Sequence, residues 1–199
     1  PLLLNQLKKV STEQNLDGAG VANLLQTESQ AFMTQGGPTV DLIQDAWKKS
    51  DLVDSIRGNR EIPLKLYYPQ NHMLDQLPLV VWSHGLGGSI DGAAFISRFL
   101  CAHCYVVLPV QHLGTDSSLW EGKPGHPWDI IKATHIPRSA TLARFTDIPF
   151  VLDNMGEFFE LHPDINGRID FKNIGMSGHS FGAMTTQVMC GQQFPDEQG

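Results

Sequence analysis

Basic side chains are scarce in this sequence, which has 14 Lys and Arg against 21 Asp and Glu and a formal net charge of -7. They form no cluster of the kind that binds the phosphates of a nucleic acid, so we exclude a nucleic-acid partner. Long apolar runs are also lacking. Stretches such as 77–82 and 105–110 have the length of buried strands and are too short to cross a bilayer. The sequence therefore predicts no integral membrane segment.

Cysteine is the next shortage, with three residues at Cys101, Cys104 and Cys190. The Cys101-Ala102-His103-Cys104 spacing is open to a zinc or a redox interpretation. A zinc site needs a second ligand pair, and a thioredoxin-like motif lies at the start of a helix, whereas this pair lies where a predicted helix leads into a strand. We interpret the pair as small buried thiols and predict no metal site. The cysteines leave the cellular compartment open.

The chain is predicted to form one α/β domain with an N-terminal addition. Residues 1–40 have helix-like apolar spacing and are predicted to form a helical extension. Residues 41–199 are predicted to form a mostly parallel sheet with helices on both faces. The predicted strands are 61–68, 79–83, 105–108 and 174–176, and the predicted helices are 93–100, 139–159 and 183–189.

Two segments between these elements are harder to assign. Residues 113–137 are rich in Gly, Pro, Asp and Ser, include Trp120 and Trp128, and lack periodicity, so they are predicted to form a long loop. The sequence leaves open whether this loop is a functional wall or an irregular surface excursion. Pro149 lies inside the helix predicted over 139–159, where we expect it to kink that helix or to begin a new one.

The motif Gly178-His179-Ser180-Phe181-Gly182 follows a predicted strand and precedes a predicted helix. This is the context of a nucleophile elbow, the sharp turn that exposes a catalytic serine. Glycines flank the serine because larger side chains would collide in so tight a turn. The hydroxyl would stand at a helix N-terminus, where the dipole and free amides stabilise negative charge. The sequence therefore predicts that Ser180 is a nucleophile.

A second motif, Ser83-His84-Gly85-Leu86-Gly87-Gly88, directly follows the strand predicted over 79–83. Acyl transfer needs two amides aimed at the tetrahedral oxyanion, one from the residue after the nucleophile and one from the loop after an earlier central strand. Phe181 and Leu86 occupy these positions, and His84 is predicted to brace the loop. A phosphate-binding alternative lacks both a dinucleotide fingerprint and a phosphate-loop lysine.

Together these motifs resemble the bacterial dienelactone-hydrolase-like esterases related to platelet-activating-factor acetylhydrolase, over about residues 54–191. The resemblance implies an α/β-hydrolase fold, no metal or organic cofactor, and hydrolysis of small-molecule carboxylic esters, often with short acyl groups. Carried over by position, it makes Ser180 the nucleophile and the amides of Leu86 and Phe181 the oxyanion hole. The other matching stretches are Arg57-Gly58-Asn59-Arg60-Glu61-Ile62-Pro63, Gln111-His112-Leu113-Gly114-Thr115-Asp116, and Arg144 with Asp147 and Asp153.

The sequence departs from this family at three places. Leu113 stands where a proline is expected, and Cys104 stands where a glycine that ends a helix is expected. The third departure concerns the catalytic triad, because the acid and the histidine follow the serine in this fold, yet all eight histidines precede Ser180. We therefore expect both groups to lie beyond Gly199. On this view the chain is truncated after the elbow helix, lacks the C-terminal strands and is inactive alone.

The leading hypothesis is a serine carboxylic-ester hydrolase. The alternative is a non-catalytic binding protein that keeps the hydrolase scaffold and lacks the triad histidine. Acyl transfer to an acceptor other than water would use the same residues. His112 and Trp120 are predicted to line the substrate pocket, and His179 is expected to point away from Ser180. Acyl and alcohol specificity, oligomeric state and compartment stay open.

Overall fold

Five strands form one mixed sheet in the computed structural model, which describes residues 47–69 and 76–194. The helical extension predicted over residues 1–40 lies outside these residues. The order of the strands across the sheet is β1-β2-β4-β3-β5. Their bounds are β1 Trp47–Asp54, β2 Arg60–Tyr67, β3 Leu77–Ser83, β4 Val106–Val110 and β5 Ile169–Gly178.

Three neighbouring strands of this order, β4, β3 and β5, run parallel to one another, as predicted. β3 pairs in parallel with β4 and β5, so that Val81 lies opposite Leu108 on one side and Met176 on the other. β2 is antiparallel to both β1 and β4. β1 was not predicted, because this strand at the edge of the order is mostly polar and lacks the apolar run that marks a strand.

Helices connect the parallel strands and cover both faces of the sheet. One apolar cluster joins inward side chains such as Leu108 to Val151 and Phe158. On the opposite face, Val107 packs with Cys101. The helices are α1 Ala94–Ala102, α2 Pro127–Ala133, α3 Arg138–Asp153, α4 Met155–Leu161 and α5 Phe181–Met189. None of the helices in the described ranges is long and apolar enough to cross a membrane.

The segment predicted as a loop over 113–137 contains two regular elements, a 3₁₀ turn at Ser117–Leu119 and helix α2. Pro127 opens α2, and the His126 side chain accepts a hydrogen bond from the amide of Trp128, as a capping residue does. The prediction of an unbroken loop is therefore wrong. α2 was missed because it is a short helix with no buried residue. A helix of that kind leaves no apolar periodicity in the sequence.

The helix predicted over 139–159 is divided in two, although not at Pro149. α3 runs through Pro149 and ends at Asp153, and α4 begins at Met155. Between them, the side-chain amide of Asn154 donates to the carbonyl of Phe150 at 2.8 Å and closes the end of α3. A proline removes one donor from a helix, and here the neighbouring turns tolerate that loss.

The cysteine pair is only partly buried. Cys101 is buried, and burial raises the pKa of its thiol to about 12. Cys104 is half-buried and has a φ of 66°, in the left-handed region that favours glycine. This conformation explains why a glycine is expected at position 104. Cys190, just after α5, is exposed.

Candidate active site

Ser180 connects β5 to α5 through a strained turn. Its backbone has φ 55° and ψ -114°, a conformation that residues other than glycine rarely adopt. Ser180 is exposed and stands at the N-cap of α5, but its side chain forms no capping hydrogen bond. The hydroxyl therefore stays available at the positive end of the helix dipole.

Gly178 and Gly182 allow this turn to lie directly against β3. A Cβ built on Gly178 would come 2.5 Å from the carbonyl carbon of Gly182 and 2.8 Å from the oxygen of Ser83. A Cβ built on Gly182 would come 2.6 Å from the carbonyl carbon of Ser83. Non-bonded carbon atoms prefer about 3.5–4.0 Å. These are the collisions that the Gly-x-Ser-x-Gly motif predicts, and backbone atoms cannot rotate out of the way.

The loop after β3 contacts the serine turn. A Cβ built on Gly85 would lie 3.4 Å from the Ser180 Cβ, and the amide of His179 donates to the oxygen of Ser83 at 3.3 Å. Among the described residues, no hydrogen-bond acceptor is present for the backbone N–H of Leu86 or of Phe181. The structure thus brings the segments of the three predicted site residues together and leaves both amides available to an external acceptor.

His84 braces the loop from beneath. It is buried, its Nδ1 lies 2.7 Å from the oxygen of Gly85, and its Nε2 accepts from the amide of His112 at 3.0 Å. Burial, aided by the positive charge of Arg144, lowers the pKa of His84 to about 4. The ring is therefore neutral at pH 7, with the proton on Nδ1 donated to Gly85.

His112 is wholly buried and uses both ring nitrogens. Nδ1 lies 3.0 Å from Asp147 Oδ2, and Nε2 lies 3.0 Å from Ser83 Oγ. Burial lowers the pKa of His112 to about 3, so the neutral ring donates from Nδ1 to the carboxylate and accepts the Ser83 hydroxyl. No nitrogen is free for Ser180. The prediction that His112 lines the substrate pocket is not tested by the structure. Because His112 is wholly buried, it could affect a substrate only through the residues that it contacts.

Asp147 on α3 joins His112 to two arginines. The buried carboxylate accepts two hydrogen bonds from Arg60, both at 2.8 Å, and one from Arg57 at 2.9 Å. Burial alone would raise the pKa of Asp147, but the hydrogen bonds from Arg60 and His112 lower it to about 2. The carboxylate therefore stays ionised. This cluster ties the start of β2 to α3 and to the end of β4.

Arg144, one helical turn before Asp147, is a second buried polar centre. It has no exposed surface and donates to Ser83 Oγ at 2.9 Å and to the oxygen of His84. Burial lowers its pKa to about 10, which leaves it positive at pH 7. Neither Arg144 nor Asp147 was predicted to have a role in the site. Their burial could have been predicted from their helical spacing with Ile148 and Val151, which places both charged side chains on the buried face of α3.

Trp120 lies against the loop after β3. Its indole Nε1 donates to the oxygen of Gly87 at 2.7 Å. Gly87 has a φ of 71°, and a Cβ built there would lie 3.0 Å from Ile131 Cγ1 of α2. The segment between β4 and α3 therefore covers the loop directly beside Leu86. Whether Trp120 also touches a substrate stays a prediction.

No protein-family model and no curated protein matches this chain. Solved structures do match it. A ferulic acid esterase from Streptomyces cinnamoneus aligns with a TM-score of 0.55 and 22% identity, over 74% of this chain and 55% of its own. The chain has the α/β-hydrolase fold. An esterase from the archaeon Pyrobaculum calidifontis aligns with a TM-score of 0.47 and 20% identity, over 96% of this chain and 52% of its own. The chain thus spans about half the length of these esterases, and at such identities the likeness concerns the fold.

Proposed function

We propose that the protein carrying this chain is a serine carboxylic-ester hydrolase with Ser180 as its nucleophile. The observation that carries the proposal is the strained, exposed turn at Ser180, with φ 55° and a hydroxyl that makes no capping bond. Strain of about 1–3 kcal/mol persists only where the surrounding structure holds it, and such residues concentrate at active sites. The esterases among the similar structures support ester hydrolysis as the reaction class.

The reaction would proceed through an acyl-serine. Ser180 Oγ forms a bond to the ester carbonyl carbon and gives its proton to a general base, while the carbonyl electron pair moves onto the oxygen. The amides of Leu86 and Phe181 donate to this oxyanion. When the tetrahedral intermediate collapses, the bond to the leaving alkoxide breaks and the alkoxide takes the proton from the base. Water then attacks the acyl-serine by the same route and releases the carboxylic acid.

The general base is proposed to be a histidine later in the full-length protein than Gly199, together with its acid partner. Triad order in this fold supports that assignment. His84 and His112 are unsuited, because their ring nitrogens already form hydrogen bonds within the protein. Their low pKa values, about 4 and 3, also oppose the protonation that a base must undergo near pH 7.

We infer further that the protein is related to the dienelactone-hydrolase-like and platelet-activating-factor-acetylhydrolase-like esterases and acts on small esters with short acyl groups. The buried contacts support this relationship, because Arg60, His112, Arg144 and Asp147 all come from the stretches that carry the resemblance. Trp120 is proposed as an apolar wall of the acyl pocket, since it contacts the residue after Leu86.

Ser180→Ala in the full-length protein tests the proposal. The wild type is expected to hydrolyse p-nitrophenyl acetate and butyrate and to be labelled at Ser180 by a fluorophosphonate probe, located by peptide mass spectrometry. The variant should lose both properties with an unchanged circular dichroism spectrum. Ser177→Ala, in the preceding strand, is the matched control and should keep both. Turnover that survives Ser180→Ala would refute the nucleophile, whereas a wild type that is neither active nor labelled would favour the non-catalytic binding protein.

A further inference from the structure

We propose that Arg144 is a positioning residue that holds the two oxyanion-hole amides in register, by stacking on Phe181 and by hydrogen bonds to the loop that carries Leu86. This inference rests on the proposed function, since it presumes the roles given to Phe181 and Leu86. It adds a residue from α3 that touches neither the substrate nor Ser180.

On one side, Arg144 contacts the first turn of α5. Its guanidinium carbon lies 4.5 Å from the centroid of the Phe181 ring, within the range of a cation–π contact. Its Nε donates to Thr185 Oγ1 at 3.2 Å, and that hydroxyl in turn donates to the oxygen of Phe181 at 3.1 Å. The side chain and the carbonyl of Phe181 are therefore both fixed, directly or through Thr185, by one guanidinium group.

On the other side, Arg144 contacts residues that flank Leu86. Its Nη2 donates to the oxygen of His84, and its Nη1 donates to Thr115 Oγ1 at 2.8 Å. The carbonyl of Thr115 accepts the amide of Gly87 at 2.9 Å. Leu86 thus lies between His84, which Arg144 binds directly, and Gly87, which Arg144 holds through Thr115. A shift of the guanidinium group would move both amides relative to each other.

Stability alone does not favour an arginine at this position. In the described part of the chain Arg144 forms no salt bridge, and the partners of its guanidinium are uncharged. A buried cation of this kind is costly compared with a well-packed apolar residue. Arginine does offer a planar fork of donors at fixed angles and a face that stacks on an aromatic ring, which lysine lacks.

The first test compares Arg144→Met and Arg144→Lys in the full-length protein, with p-nitrophenyl butyrate as substrate. Displacing the oxyanion donors destabilises the transition state more than it destabilises the bound ester. Arg144→Met should therefore lower kcat about 100-fold and change KM less than about threefold. Arg144→Lys keeps the charge and should recover about a tenth of the wild-type kcat. The control is Val151→Ala, a fully buried core change in the same helix, which should lower Tm and leave kcat within about twofold.

A second variant keeps the inference testable where Arg144→Met does not fold. Phe181→Leu keeps the amide, removes the ring under the guanidinium and lies at a half-buried position, so it should fold and lower kcat about tenfold at similar KM. Folded variants with wild-type kcat would overturn the role of Arg144, as would a loss of kcat in Val151→Ala equal to that in Arg144→Met. If Arg144→Met does not fold, Phe181→Leu decides.

The wild type separates the two levels of inference. A full-length wild type that is not labelled at Ser180 and hydrolyses no ester would overturn the proposed function and, with it, this inference. A wild type that is labelled and active, with unchanged kinetics in the variants, would overturn the role of Arg144 alone.

Discussion

Replacing Ser180 by glycine is expected to stabilise the protein while it removes the proposed activity. The conformation at this position, φ 55° and ψ -114°, costs a residue with a Cβ about 1–3 kcal/mol. Glycine adopts positive φ readily, but it adds about 0.5–1 kcal/mol of conformational entropy to the unfolded state. The Ser180 side chain is exposed and caps nothing, so little is lost with it. The expected net gain is about 1 kcal/mol.

Urea unfolding of the full-length wild type, Ser180→Gly and Ser180→Ala separates the strain from the hydroxyl group. Alanine removes the hydroxyl and keeps the Cβ, so Ser180→Ala should unfold close to the wild type. Ser180→Gly should unfold at a higher urea midpoint with an unchanged m-value, which marks a change in stability alone. Both variants should be inactive towards p-nitrophenyl butyrate. Equal midpoints for the two variants would refute the conclusion that the turn is strained.

Two further predictions concern stability. Gly182→Ala should lower the free energy of unfolding by more than about 2 kcal/mol, because the new Cβ would overlap the backbone of Ser83. Gly156→Ala, inside α4, should raise the free energy of unfolding by about 0.5–1 kcal/mol, because a Cβ there would meet no atom within 4 Å. Thermal melts in which both variants shift in the same direction would contradict this prediction. Stability should also fall as the pH drops from 6.5 to 4, because the folded protein keeps His84 and His112 neutral with pKa values of about 4 and 3 while the unfolded chain protonates both near 6.5. The two histidines together contribute a slope of at most about 3 kcal/mol per pH unit, reached near pH 5. About half of this slope is expected in His112→Gln, and an unchanged slope in that variant would contradict the prediction.

The elements that were predicted correctly are those whose burial is evident from the pattern of apolar residues in the element itself. β4 is buried at every residue, and a strand covered on both faces must be apolar throughout. β1 is paired with β2 alone among the described strands and α2 has no buried residue, so neither carries a pattern that separates it from a loop. The turn at Ser180 was predictable for a related reason, since its geometry depends on glycines within two residues of the serine.

The buried polar cluster was not predictable in the same way, because Arg60, His112, Arg144 and Asp147 come from separate segments that only the folded chain brings together. Charged residues are usually exposed, so Arg60, Arg144 and Asp147, each taken alone, would be predicted to lie at the surface. The exception lies on α3, where Arg144 and Asp147 fall on the same helical face as buried apolar residues. That face cannot be buried unless the interior of the protein supplies hydrogen-bond acceptors for the arginine and donors for the carboxylate. The acceptors for Arg144 lie largely at the end of β3, in the loop after it and on α5, the segments that adjoin Ser180. The donors to Asp147 come instead from the start of β2 and from the end of β4.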